Sequence, residues 1–108
     1  KKILQFSLKT MSTFQDIIKG EKPILVDFFA DWCAPCKTMN PILKSIKSKM
    51  GDEIKILKIN VDKNQAVADK FNVRGIPTFI IFKQNELKWR QSGIIEENKL
   101  IEELNKFI

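Results

Sequence analysis

The segment Ile24-Leu25-Val26-Asp27-Phe28-Phe29-Ala30-Asp31-Trp32-Cys33-Ala34-Pro35-Cys36 joins a hydrophobic run to the start of a helical pattern. Pro23 precedes the run, and residues 24–30 are apolar except at Asp27, as fits a strand buried on both faces. Beyond the segment, Met39, Ile42, Leu43, Ile46 and Met50 keep helical spacing until Gly51. Cys33 and Cys36 are the two cysteines of the chain. With two residues between them on the first turn of a helix, their sulfurs are able to meet as a tight disulfide. The unpaired backbone N–H groups and the dipole at that helix start stabilise a thiolate on the first cysteine and lower its pKa. A reversible dithiol/disulfide pair of this kind performs thiol–disulfide exchange.

The same alternation of periods extends along the chain. Residues 3–6 read as a short strand. Residues 12–19 read as a helix with Ser12 as N-cap and Gly20 as stop signal. Residues 54–61 form a β-branched run, and 65–71 a short helix, followed by a loop through Gly75 and Pro77. Residues 78–82 and 87–91 read as two strands joined by Lys83-Gln84-Asn85-Glu86, where Asn85 suits a positive φ. Residues 96–107 close the chain as an amphipathic helix with Leu100, Ile101, Leu104 and Phe107 on one side. The order β-α-β-α-β-α-β-β-α predicts an α/β fold. Its central mixed sheet is mostly parallel, with an antiparallel C-terminal hairpin and helices on both faces.

At 108 residues the chain is expected to form one domain spanning 1–108, without repeat, linker or low-complexity segment. Hydrophobic residues at 44% and charged residues at 30% fit a globular rather than a disordered chain. No apolar stretch approaches the roughly 20 residues that span a bilayer. The opening Lys1-Lys2-Ile3-Leu4-Gln5-Phe6-Ser7 lacks the apolar core of a signal peptide and reads as a mature first strand. The chain does not open with Met, so a removed leader or tag is compatible with it. Two cysteines so close together do not make the disulfide framework of a small secreted protein. The net charge of +6 suits an acidic partner or nucleic acid, but the lysines are scattered and read as a solvated surface. C-x-x-C is also half of a zinc or iron–sulfur site. With no His and no third Cys, a complete site of that kind requires two chains.

Asp27 is the anomaly of the apolar run, because burying a carboxylate is costly and desolvation raises its pKa. A strand-end Asp facing solvent is the alternative. Lys58, within Ile56-Leu57-Lys58-Ile59, suits either a buried cation or one that reaches water.

Trp32-Cys33-Ala34-Pro35-Cys36-Lys37 resembles the WCGPCK signature of the thioredoxin family, and a C-x-x-C beside a βαβ pattern is an established cue for that fold. Val26-Asp27-Phe28, Pro41, Arg74-Gly75-Ile76-Pro77-Thr78 and Gly93 extend the resemblance over essentially the whole chain. The resemblance implies a thioredoxin fold in which an exposed Cys33 attacks a substrate disulfide and Cys36, buried one turn further in, resolves the mixed disulfide. It implies that Asp27 acts as general base toward Cys36, with Lys58 as its neighbouring cation. It implies a cis Ile76–Pro77 bond placing the Ile76 backbone beside Cys33, where an extended substrate pairs, with Trp32, Ile76 and Gly93 forming an apolar docking surface. For Trp32, ordinary core packing is the alternative. Pro41 removes the hydrogen bond to the Lys37 carbonyl and is expected to kink the helix, detaching its first turn. Ala34 stands in place of the usual Gly beside Pro35, Phe29 where many members have tryptophan, and Asn85 where a hairpin glycine is frequent.

By this resemblance the protein is a protein-disulfide reductase, a monomer in the cytoplasm with no cofactor beyond its own dithiol. Its expected partners are an NADPH-linked thioredoxin reductase and disulfide-containing proteins, with no nucleic acid and no membrane. The alternatives are an exported thiol oxidoreductase with a dedicated substrate and a redox-capable binding subunit of a partner protein.

Overall fold

A computed structural model describes residues 3–5 and 11–108. Phe6 of the expected first strand and the side chain of the expected cap Ser12 lie outside this description. The strands are β1 (Leu4–Gln5), β2 (Ile24–Phe29), β3 (Lys55–Asn60), β4 (Thr78–Lys83) and β5 (Glu86–Ser92). The helices are α1 (Met11–Ile18), α2 (Ala34–Met50), α3 (Gln65–Lys70) and α4 (Glu97–Asn105). Among the described residues the sheet order is β1-β3-β2-β4-β5. β1 and β2 run parallel to β3, whereas β4 runs antiparallel to both β2 and β5. This is the expected mixed sheet, with the C-terminal hairpin joined to the parallel half at β2.

Strand periodicity sorts the core into two layers. Val26 and Phe28 of β2 cluster with Phe14 and Ile18 of α1 and Val67 of α3. Leu25, from the alternate positions of β2, clusters with Met39, Leu43 and Ile46 of α2 and with Leu100 and Leu104 of α4. Asp27 shares the phase of Leu25, so it points to the face that α2 covers. Its side chain lies within the sheet with 0% of the residue exposed, not at a strand end facing water.

The hairpin has a two-residue turn in which Gln84 and Asn85 both take positive φ, 51° and 67°. The sequence singled out Asn85 alone. The Gln84 and Asn85 N–H groups donate to the Gly20 and Ile18 carbonyls at 2.9 and 3.0 Å, so the turn binds the end of α1. That contact is tertiary, and it explains why glutamine is accepted at a position local preference disfavours.

Helix α2 spans Ala34–Met50 with Pro41 inside it. The buried residues Cys36 and Met39 before the proline, and Leu43 and Ile46 after it, hold one helical face against the core, which outweighs one missing hydrogen bond. At its far end Gly51 takes φ 58° and donates its N–H to the Lys47 carbonyl. Lys47 departs from the solvated-lysine pattern, with only 6% of the residue exposed. Its Nζ donates to the Gly51 and Ile54 carbonyls at 2.9 and 2.7 Å, clamping the helix end to the chain entering β3. Lys47→Met retains the apolar stem but strands these carbonyls, and is expected to lower stability by about 1–3 kcal/mol. Urea denaturation measures it, and an unchanged midpoint contradicts this role for Lys47.

Candidate active site

The junction between β2 and α2 builds the site. The Cys33 N–H donates to the Ala30 carbonyl at 3.2 Å, closing the turn that leaves the sheet. Cys33 then serves as the N-cap of α2, with extended backbone at φ −92° and ψ 107°. Its Sγ accepts the N–H of Cys36 at 3.2 Å, which gives one orphan amide of the helix start a partner. Pro35 sits in the first turn, where its missing N–H costs nothing. Ala34 and Pro35 are exposed between the cysteines.

Cys33 and Cys36 form a disulfide with Cα atoms 5.3 Å apart. Each residue is only 3% exposed. For Cys36 this matches the expected burial; for Cys33 it corrects the expected exposure. The closed disulfide turns the Cys33 sulfur toward its partner, and Phe29, Ala30, Val61 and Ile76 pack around the pair. The Cys33 Sγ lies 3.8 Å from the Ile76 carbonyl oxygen. In this oxidised form it has no proton to donate, so the approach is a contact.

The Ile76–Pro77 bond is cis. The loop is fixed from behind: the Gly93 N–H donates to the Pro77 carbonyl at 2.8 Å, and the Thr78 hydroxyl donates to the Gly75 carbonyl at 2.6 Å. Thr78 Oγ1 also lies 2.7 Å from Ser92 Oγ. Gly93 adopts φ +94°, which strains any residue with a Cβ, and the space a Cβ would take is open. Trp32 is 71% exposed, so its ring is a surface and not part of the core. Its Nε1–H donates to Asp62 Oδ2 at 2.9 Å, fixing one edge of the indole. No local signal marks Asp62 for this role, since it lies 30 residues further along the chain, just beyond β3.

Asp27 is completely enclosed, and neither carboxylate oxygen has a hydrogen-bond partner. Burial pushes this carboxyl up to about 7, and the nearby Lys58 charge pulls it part of the way back. Asp27 and Lys58 are directly paired in the β2–β3 register. Lys58 is half-buried, but its Nζ donates to Asn40 Oδ1 at 2.6 Å and lies 4.4 Å from the centre of the Phe29 ring. It is therefore neither a sealed cation nor one free in water. Phe29, Cys36, Lys37, Asn40 and Lys58 line a cleft beside the disulfide. Asn40 was not singled out by the sequence, although its position one turn after Cys36 places it on a neighbouring part of the helix surface.

The arrangement has a buried sulfur pair at a helix start, an enclosed carboxyl beneath the same helix, and an exposed apolar rim. Among the described residues no group of three or more His, Cys, Asp or Glu side chains is arranged to hold a metal ion. Among them too, no helix is long and apolar enough to cross a membrane.

The Thioredoxin family model matches residues 5–106. The chain is 40% identical over 102 residues to thioredoxin Y, chloroplastic, of Oryza sativa subsp. japonica, covering 94% of this chain and 61% of that longer protein. It is 38% identical over 94 residues to thioredoxin of Rickettsia bellii, covering 87% and 90% of the two chains. The structure of a mutant thioredoxin from Halobacterium salinarum superposes with a TM-score of 0.85 at 28% identity, covering 96% and 90% of the two chains. A match running through nearly every residue, from first strand to last helix, shows that the chain belongs to the thioredoxin family and is a thiol–disulfide oxidoreductase.

Proposed function

We propose that the protein works as a protein-disulfide reductase, with its 108 residues acting as one domain. The observation that carries this reading is the Cys33 sulfur at the N-cap of α2, accepting the Cys36 amide. In the reduced protein the same geometry favours a thiolate at Cys33, the species that attacks disulfides. The Ala34-Pro35 spacer also resembles that of reducing members more than oxidising ones.

The Cys33 thiolate attacks one sulfur of a substrate disulfide, and the other substrate sulfur leaves as a thiolate. A mixed disulfide now joins Cys33 to the substrate. Asp27, directly or through water, takes the proton of Cys36. The Cys36 thiolate attacks Cys33 Sγ, releases the second substrate thiol and closes the disulfide. Two electrons have passed from the protein dithiol to the substrate. An NADPH-linked thioredoxin reductase returns them by exchange with the Cys33–Cys36 disulfide, so no resident cofactor is required.

The rim assigns the remaining roles. An extended substrate segment pairs with the Ile76 backbone, whose carbonyl lies beside Cys33, in a short form of strand addition. Trp32 supplies apolar contact area, and Gly93 leaves room for the substrate backbone. Pro77 shapes the loop that presents Ile76. Ala34 and Pro35 keep the disulfide loop compact. A monomer acting in the cytoplasm is the working form under this reading.

Turnover of a protein disulfide with NADPH and thioredoxin reductase tests the function, and binding without turnover would instead favour a binding subunit. Cys36→Ser is expected to accumulate mixed disulfides through Cys33, identified by peptide mass spectrometry. Adducts formed through position 36 in the Cys33→Ser variant alone would reverse the two assignments.

Asp27→Asn is expected to slow resolution on the order of 100-fold at neutral pH while leaving the initial attack nearly unchanged. A base works only after losing its proton, so wild-type resolution should accelerate as pH rises through about 7. The Asn variant should lack that rise. Rapid-quench measurement of both steps checks this, and equal slowing of attack and resolution would refute the base assignment.

A further inference from the structure

Asp27 and Lys58 are neighbours in the β2–β3 register, on the sheet face covered by α2, yet both carboxylate oxygens of Asp27 lack a hydrogen-bond partner. The ammonium is committed elsewhere. Its Nζ donates to Asn40 Oδ1 at 2.6 Å and rests over the Phe29 ring. Asn40 and Cys36 are four residues apart on α2, and both line the cleft beside the disulfide. The same Asn40–Lys58 contact borders a second cleft, lined also by Ile3, Leu43 and Lys44. A neutral amide on α2 thus holds a cation whose oppositely charged neighbour stands unbonded.

We propose that Asn40 is a positioning residue, whose side-chain carbonyl holds the Lys58 ammonium over Phe29 and off the Asp27 carboxylate. The proposal deepens, and rests on, the reading of Asp27 as base for Cys36. A carboxylate bonded to an ammonium is a weaker base, because the cation stabilises its charged form. With the ammonium held aside, Asp27 keeps the proton affinity that burial confers, while the cation still faces the cleft that Cys36 lines. The charged groups lining the first cleft are Asp31, Lys37 and Lys58, and Lys44 borders the second. Across the other edge of β2, β4 presents the uncharged Phe79 beside Asp27. Lys58 is thus the charge whose placement governs this carboxyl.

Asn40→Ala removes the acceptor and favours the helix, so the fold is retained. The released ammonium then moves toward the unbonded carboxylate. The test follows the side-chain carboxyl carbon of Asp27 by NMR against pH. It uses the oxidised 108-residue chain, in which neither cysteine titrates. The Asp27 midpoint in Asn40→Ala is expected to fall by about half a pH unit or more. Lys58→Gln should raise it, and adding Asn40→Ala to Lys58→Gln should change nothing further. An unchanged or raised midpoint in Asn40→Ala overturns the proposal, as does an equal shift with and without Lys58. The titration involves no turnover. Failure of Asp27→Asn to slow resolution would therefore refute the base role without altering this outcome.

Discussion

The structure depends on the abruptness with which β2 becomes α2. A strand buried on both faces ends at Phe29, and by Ala34 the chain is already helical. Cys33 falls between, where an N-cap side chain is needed, and a sulfur fills the place usually taken by a hydroxyl or carboxylate oxygen. The amide of Cys36 that satisfies this sulfur belongs to the residue that also supplies its disulfide partner. Capping of the helix start and redox pairing are therefore one local geometry. The remaining elements hold it still: the β2 core from beneath, the Ile76–Pro77 loop from the side, and the clamp at Lys47 from the far end of α2.

The second constraint is the carboxyl under the helix. An enclosed Asp27 with no hydrogen-bond donor is a stability cost that packing alone does not explain. The strand phase that turns Leu25 toward α2 turns Asp27 the same way. Burial then raises its proton affinity into the range where transfer at neutral pH is efficient. Lys58 moderates this effect from a distance and does not cancel it by direct bonding. Under the proposed function, fold, proton affinity and side-chain tether converge on Cys36, beneath the rim formed by the exposed Trp32 and the half-buried Ile76.

Much of this was legible in the residues. Changes of hydrophobic period, punctuated by Gly20, Gly51 and the hairpin, located the helices and strands, because each signal is local. Asp27 stood out as the one polar interruption of residues 24–30, and its burial followed from its neighbours. Asn40 was not legible, because a polar residue between Met39 and Leu43 reads as an ordinary solvent-facing position until Lys58 is brought against it from another strand. Lys47 was hidden for the same reason among many lysines. The enclosure of Cys33 was misjudged because exposure at a helix start depends on what packs alongside, here Ile76 from 43 residues away. Gln84 at positive φ likewise owes its conformation to α1 rather than to its own preference.

The most direct measurement is the pH dependence of alkylation at Cys33 in the reduced protein, with Cys36 replaced by Ser to isolate the signal. Stabilisation by the helix start predicts half-maximal reactivity clearly below the roughly pH 8.5 of a free cysteine. A midpoint at or above that of free cysteine would contradict the claim that this junction holds the sulfur as an anion.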